Sequence, residues 1–308
     1  MRNSCVNTIE DMAKQDKSIF VLTGDLGFSV FENFISNFKD RFINVGVAEQ
    51  NMIGVAAGLA FAGKTAIAYS IVPFAVIRCL EQIRNDVCFQ DMNIKIIGVG
   101  AGLQYGSAGS THYGIEDMAV VRALPNIKIL SPACAEEAKL AMRAALSERG
   151  PFYIRLGKSL DDGKYLEHCK FKIGKGMIIE SGKDLTIICT GSILSEAISA
   201  VKLLKNIGIS AQLVNMHTIR PFDKDMILQS LKETGNIFSV EEHRINGGLG
   251  SEVAEVLSEA GSSAKLTRIA LPDTLIKTVG SRDYLLEHYS MSAKGIVKTI
   301  MERLKPIK

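Results

Sequence analysis

Short apolar runs alternate with longer stretches of helical character along most of the chain. The first half carries the runs IFVLT (19–23), FINVGV (42–47), TAIAYS (65–70), IKIIGVG (94–100), IKIL (127–130) and FYIRL (152–156). Helical segments are predicted between them at 49–62, 74–89, 115–124 and 133–148. The last opens on SPACAEEA, where Ser131 suits an N-cap, Pro132 the first helical position and the glutamates the first turn. A polar stretch rich in Gly and Lys follows (157–184), and the alternation then restarts with LTIICT, ISAQLVNM, NIFSVEE and KLTRIAL. Apolar strands alternating with helices predict parallel sheets covered on both faces. The fold class is therefore α/β, as two three-layer domains with mainly parallel sheets. The boundary falls near 160–180, and we divide the chain at 1–165 and 166–308.

Composition changes this picture little. The 308 residues suffice for two domains, and 47% hydrophobic with 22% charged residues is ordinary for a globular protein. The net charge is +3, and the densest basic patch is the terminal RLKPIK, a solvated end rather than a nucleic-acid arm. Six cysteines form no C-x-x-C pair and several sit in apolar runs, which predicts reduced, core-packed thiols and a cytoplasmic protein. The five histidines lack a zinc-binding spacing. One apolar region, 52–77, could imitate a membrane span. Lys64 divides it into pieces of 12 and 13 residues, short of the ~20 a span requires.

Candidate chemistry gathers where strands end. In RFINVGVAEQN a strand gives way to a helix, with a lone acid, Glu49, between VGVA and a Gly/Ala-rich apolar run. A helix-dipole acid is one explanation. That Gly/Ala content, however, predicts close packing against other backbone, leaving the carboxylate poorly solvated, with a raised pKa suited to a proton donor. The loop 100–114 holds five glycines and His112, and follows a strand end, where parallel sheets bind ligands. Arg155 sits late in a buried strand, so it either pairs structurally or binds an anion at the strand's end. Phe74, at a helix start after Pro73, is a core residue or a stacking platform. Asp25 in LTGDLG is a turn or cleft aspartate. With Asn51 it imitates the GDG…N metal and diphosphate pattern of thiamine-diphosphate enzymes, but Leu26 and Met52 break that pattern, so no metal site is expected in this chain. The turns CTGSILSEA and EEHRINGGLG each lead into a helix, as tight turns or anion sites.

Together these stretches resemble the C-terminal half of the transketolase family. RFINVGVAEQNMIGVAAGLAFAGKTAIAYS is similar to its pyrimidine-binding signature, and STHYGIEDMAVVRALPNIKILSPACAEEA to the block that follows. LTIICTGSILSEAISAVKLLKNIGISAQLVNMHTIRPFD and VEEHRINGGLGSEVAEVL resemble its C-terminal domain. The resemblance implies a pyrimidine-binding fold followed by the transketolase C-terminal domain. It implies that Glu49 hydrogen-bonds N1′ of the aminopyrimidine of thiamine diphosphate, so that the cofactor's C2 carbon can be deprotonated. Phe74 then matches the aromatic under the pyrimidine, Asp25 a cleft aspartate near the cofactor, His112 a substrate-facing histidine, and Arg155 an arginine that holds substrate phosphate.

The family's diphosphate- and Mg²⁺-binding domain has no counterpart here. The resemblance thus implies one subunit of a split transketolase, active with a separate N-terminal, diphosphate-binding chain in an α₂β₂ assembly. Two substrate contacts depart from the family: Ala108 stands where an aspartate is usual, and Gly100 where many members carry a histidine. We therefore expect ketol transfer on sugars other than the common pentose phosphates. The alternatives are the β subunit of a 2-oxo acid dehydrogenase and a non-catalytic partner of the same fold.

Overall fold

A computed structural model describes residues 1–158, 163–167 and 170–304; His168, Cys169 and the end of the basic tail lie outside them. The first part of the chain runs α1 (Arg2–Gln15), β1 (Ile19–Thr23), α2 (Glu32–Asn37), β2 (Phe42–Asn44), α3 (Glu49–Phe61) and β3 (Thr65–Ile71). A helical segment follows, in which the π-helical turns Pro73–Ile77 and Ile83–Cys88 flank the short helix α4 (Leu80–Gln82). Then come β4 (Ile94–Val99), α5 (Asp117–Arg122), β5 (Lys128–Leu130), α6 (Ala135–Ser147) and β6 (Phe152–Leu156). The second part holds β7 (Met177–Glu180), β8 (Leu185–Cys189), α7 (Leu194–Asn206), β9 (Ala211–Asn215), β10 (Thr218–Arg220) and α8 (Lys224–Thr234). It ends with β11 (Asn236–Arg244), α9 (Leu249–Glu259), β12 (Lys265–Leu271), α10 (Arg282–His288) and α11 (Ala293–Leu304).

Two sheets form, in the orders β10-β5-β6-β4-β3-β1-β2 and β12-β11-β8-β9-β7. Each is parallel except at one edge, where β10 and β7 run antiparallel to their neighbours. Strands β3, β4, β6 and β8 are buried along nearly their whole length, as their unbroken apolar runs require in sheets covered on both faces. β10 belongs to the second part by sequence and to the first sheet by pairing, with Thr218 opposite Leu130. One apolar cluster continues from Met52, Ile53 and Val76 through Ile129 and Ile219 to Leu249 and Val253, so the two parts share a core. Five cysteines, Cys5, Cys79, Cys88, Cys134 and Cys189, are free and buried. No helix among the described residues is long and apolar enough to cross a membrane.

Two local expectations are corrected. The cap of α6 is Cys134, whose Sγ accepts from Glu137 N at 3.4 Å, rather than Ser131. Helix α3 buries Met52, Ile53 and Ala56 but leaves Gly54 and Gly58 with no atom in reach of a Cβ, so its glycines line an open face. Burying Met52 and Ile53 contributes about 1.5–3 kcal/mol each. That outweighs the ~0.5–1 kcal/mol that a mid-helix glycine costs, so the helix persists with one bare side.

His217 is fully buried, with its ring stacked on Phe171 at a centroid separation of 4.2 Å and its Nδ1 3.0 Å from Thr218 Oγ1. Burial pushes its pKa down from 6.5 to about 4. The unfolded chain takes up this proton near its ordinary value while the folded chain resists it. The stabilising contribution is thus complete above the unfolded pKa and is lost as pH falls through the window down to the folded value, roughly 3 kcal/mol in all. We expect His217→Gln to lose less stability between pH 7 and 4.5 than the unaltered chain, measured by urea unfolding at each pH. Identical pH slopes would exclude His217 as the responsible group.

Candidate functional site

The carboxyl ends of the parallel strands of the first sheet converge on one side of the molecule. Glu49 is the first residue of α3, reached from β2 through a turn in which Gly46 takes φ +73°. Its side chain is 1% exposed. Ser70 at the end of β3 donates to Oε1 at 3.0 Å, and Arg78 Nη1 donates to Oε2 at 2.6 Å. A Cβ on Gly24, just past β1, would come within 3.1 Å of Oε1, so that position must stay small. The acid is buried, as its apolar setting predicts, but it does not lack partners. Two donors replace the lost water.

From Glu49 a line of contacts runs across the strand ends. The guanidinium of Arg78 lies 4.7 Å from the centre of the half-buried Phe74 ring. The Phe74 and His112 rings meet edge to face at 5.2 Å, and the Tyr105 and His112 rings are 6.5 Å apart. Thr111 Oγ1 is 3.0 Å from His112 Nδ1. Tyr105 in turn lines a cavity of about 450 Å³ with Arg2, Gly100, Gln104 and Lys158. Glu49, Phe74 and His112 are thus brought together. Asp25 stands at the end of β1, exposed, with φ +57°. Its carboxylate accepts from Asn44 Nδ2 at 3.0 Å, and Asn51 is not its partner in any described hydrogen bond.

Arg155 is placed elsewhere. It is 2% exposed; its Nε donates to Asp117 Oδ2 at 2.8 Å, and its Nη2 to the carbonyls of Gly114 and Glu242 at 2.8 and 2.9 Å. Tyr153 donates to the same Asp117 oxygen at 2.6 Å, and burial, followed by the Asp117 charge, holds that phenol well above its usual pKa. Of the two alternatives open for this strand arginine, the structure takes the structural pair. The guanidinium is buried, with Nε and Nη2 engaged inside the protein. Lys158, three residues further and beyond the strand end, is exposed and lines the cavity instead.

Sequence reasoning missed Lys158, Arg2, Tyr105, Ser70 and Arg78. The rule that a buried strand arginine requires an acid could have redirected attention from Arg155 to the next cation in RLGK. Gly100 also gains an explanation. A Cβ there would fall 2.1 Å from the Tyr105 ring, so the tyrosine occupies the space that a larger side chain would need. The α9 N-terminus in EEHRINGGLG binds an anion from within the chain. Glu241 accepts from Leu249 N and Gly250 N at 2.7 and 2.8 Å.

The second part of the chain grips the His112 loop. Leu103 N donates to Glu242 Oε1 at 2.7 Å, and Arg282 holds the same carboxylate at 2.7 Å. Tyr113 Oη lies 2.7 and 3.0 Å from the carbonyls of Thr278 and Gly106, its one proton shared between them. Gly106 can carry no side chain, since its Cβ would strike Gly280 O at 2.3 Å.

Comparison with known proteins accounts for most of the chain. Residues 1–162 match the transketolase pyrimidine binding domain and residues 174–296 the transketolase C-terminal domain. A Methanocaldococcus jannaschii protein, provisionally described as a transketolase C-terminal section, is 40% identical over 308 residues, 99% of this chain and 96% of that one. The 6-deoxy-6-sulfo-D-fructose transketolase subunit SqwH of Clostridium sp. strain MSTE9 is 35% identical over 98% of this chain and 94% of its own length. An apulose-4-phosphate transketolase subunit of Actinobacillus succinogenes is 37% identical over 86% of this chain and 85% of its own length. Among solved structures, a split-gene transketolase described as an inactive beta4 tetramer superposes with a TM-score of 0.88 at 34% identity, covering 100% of this chain and 98% of that one. The transketolase of Campylobacter jejuni shares the fold at 19% identity and a TM-score of 0.81, and this chain spans 46% of it.

The two cations of RLGK are separable by experiment. Arg155→Met leaves Asp117 charged and buried, which we expect to cost about 3–5 kcal/mol of unfolding free energy. Lys158→Met, on the surface, should stay within about 0.5 kcal/mol. Urea unfolding of both variants checks this, and an Arg155→Met chain of unchanged stability would refute the structural role.

Proposed function

The chain belongs to the transketolase family, and from that premise we propose that it is the C-terminal subunit of a two-chain, thiamine-diphosphate-dependent transketolase-like transferase that moves a two-carbon ketol unit between sugars. The observation that carries this reading is the unbroken line from buried Glu49 past Phe74 and His112 to a cavity bordered by Arg2 and Lys158. The residues fit the pyrimidine half of the cofactor: a carboxylate with a hydroxyl beside it for a ring-nitrogen edge, and a half-buried aromatic face for stacking. Thiamine diphosphate, when bound, supplies the carbon nucleophile for a ketose carbonyl. Glu49 shares a proton with N1′ of the aminopyrimidine, and Phe74 supports that ring. Asp25, tied to Asn44, borders the cofactor cleft. His112 faces the substrate and exchanges a proton with its oxygen.

Arg2 and Lys158 hold an anionic terminus of the sugar. In this reading they take the task first expected of Arg155. Relatives named for 6-deoxy-6-sulfo-D-fructose and for apulose 4-phosphate support an anionic substrate outside the common pentose phosphates. Alternatives to ketol transfer gain no specific support from the geometry.

The diphosphate and Mg²⁺ fall to a separate N-terminal subunit, in an α₂β₂ assembly. Support comes from one relative described as a C-terminal section and from others described as subunits. Exposed Phe28 (77%) and Val47 (73%), close in sequence to Asp25 and Glu49, present apolar surface for another chain to cover.

Three outcomes are expected. The chain alone, given thiamine diphosphate, Mg²⁺ and ketose and aldose substrates, should show no turnover; robust turnover without a partner would overturn the split-subunit reading. In the assembled enzyme, Glu49→Gln should lower kcat by about 10²–10⁴-fold with little change in Tm, and full activity would remove Glu49 from the chemistry. Lys158→Ala should raise KM for an anionic ketose about tenfold, equivalent to about 1.4 kcal/mol, with kcat nearly unchanged. An unchanged KM would remove Lys158 from substrate binding.

A further inference from the structure

The two groups that the proposed cofactor site offers to a pyrimidine are both engaged here by one side chain of the same protein. Arg78 Nη1 donates to Glu49 Oε2 at 2.6 Å, and its guanidinium carbon lies 4.7 Å from the centre of the Phe74 ring. Phe74, in the π-helical turn Pro73–Ile77, and Arg78, which follows that turn, are four residues apart and so share one face of the helical segment. A guanidinium and an aminopyrimidine share the relevant chemistry. Both are planar, both stack on an aromatic face, and both meet a carboxylate through a nitrogen-bound proton, the guanidinium's own N–H in one case and the proton shared with N1′ in the other. The side chain of Arg78 is 41% exposed, so it has open space into which it can withdraw. The buried Arg155 has none.

We propose that Arg78 is a stand-in for the cofactor's aminopyrimidine. In the cofactor-free chain it neutralises Glu49 and covers Phe74, and it must swing out for the ring to seat. This rests on the cofactor site proposed above. Its consequence is a competition within the chain. The apparent affinity for the cofactor is reduced by the fraction of molecules in which Arg78 is in place, a reduction that removal of the side chain relieves. Ser70 is not part of the competition, because its bond is to the other oxygen of Glu49.

The test is calorimetric titration of thiamine diphosphate, with Mg²⁺, into the assembly of this chain with its diphosphate-binding subunit. Unaltered enzyme, Arg78→Ala and Arg78→Gln are compared. Glutamine keeps an N–H for Glu49 without a cation over the ring, so it remains informative should the alanine variant fold poorly. Removal of the guanidinium is expected to tighten Kd by roughly 3- to 10-fold, with the gain in the association rate. Equal or weaker binding by both variants overturns the proposal and makes Arg78 a support for Glu49, while leaving the site assignment intact. Failure of the unaltered assembly to bind thiamine diphosphate overturns the site assignment, and this proposal with it.

Discussion

The buried ion pair between Asp117 and Arg155 is the constraint around which the site is built. A guanidinium and a carboxylate removed from water cost several kcal/mol each unless geometry and further hydrogen bonds compensate. Here the compensation comes from separate parts of the chain. Asp117 begins α5 and Tyr153 shares β6 with Arg155, while the carbonyls of Gly114 and Glu242 come from the His112 loop and from β11. One side chain thus fixes the end of the His112 loop, the first sheet and the second sheet relative to one another. Arg155 is thus buried in this pair, and Lys158 is the exposed cation just past β6.

The second domain extends the same logic to the rest of the loop. Glycine-rich backbone has many conformations, and a histidine on such a loop is useful only if something holds the loop still. Glu242 takes Leu103 N, Thr278 takes the Tyr113 hydroxyl, and Gly280 abuts Gly106. These contacts come from elements far along the chain. The loop is therefore positioned from the second domain, although all the groups in line with Glu49 belong to the first.

What could be read from the sequence follows the range of the interactions involved. Strand and helix order was legible because it rests on local periodicity, and Glu49 stood out because an acid before MIGVAAGLAFAG violates the local pattern. The partner of Arg155 was not legible. Asp117 lies 38 positions away and Glu242 87 positions away, and an apolar strand reports that an arginine is buried without reporting what it meets. Arg78 was hidden for a related reason. Its meeting with Glu49 spans 29 positions, and helical spacing shows that Phe74 and Arg78 share a face without showing which acid that face meets. The open side of α3 was misread because glycine and alanine suit both close packing and exposure, and the pattern alone does not separate them. β10 escaped notice because a three-residue strand pairs across the domain boundary with no apolar run to mark it.

Arg78 and Arg155 show how exposure separates two uses of one residue type. Both are arginines paired with buried carboxylates. Arg155 is 2% exposed and bonded through two of its nitrogens to Asp117, Gly114 and Glu242, so its pair is permanent and its removal threatens the fold. Arg78 has one bond to Glu49, one ring contact and a 41% exposed side chain. An acid held at a strand end for a later partner requires compensation that can be withdrawn, since an uncompensated charge would destabilise the folded chain and a buried pair would never release it. A half-exposed arginine on an aromatic face satisfies both conditions, and the fold supplies it within one helical segment of the acid it serves.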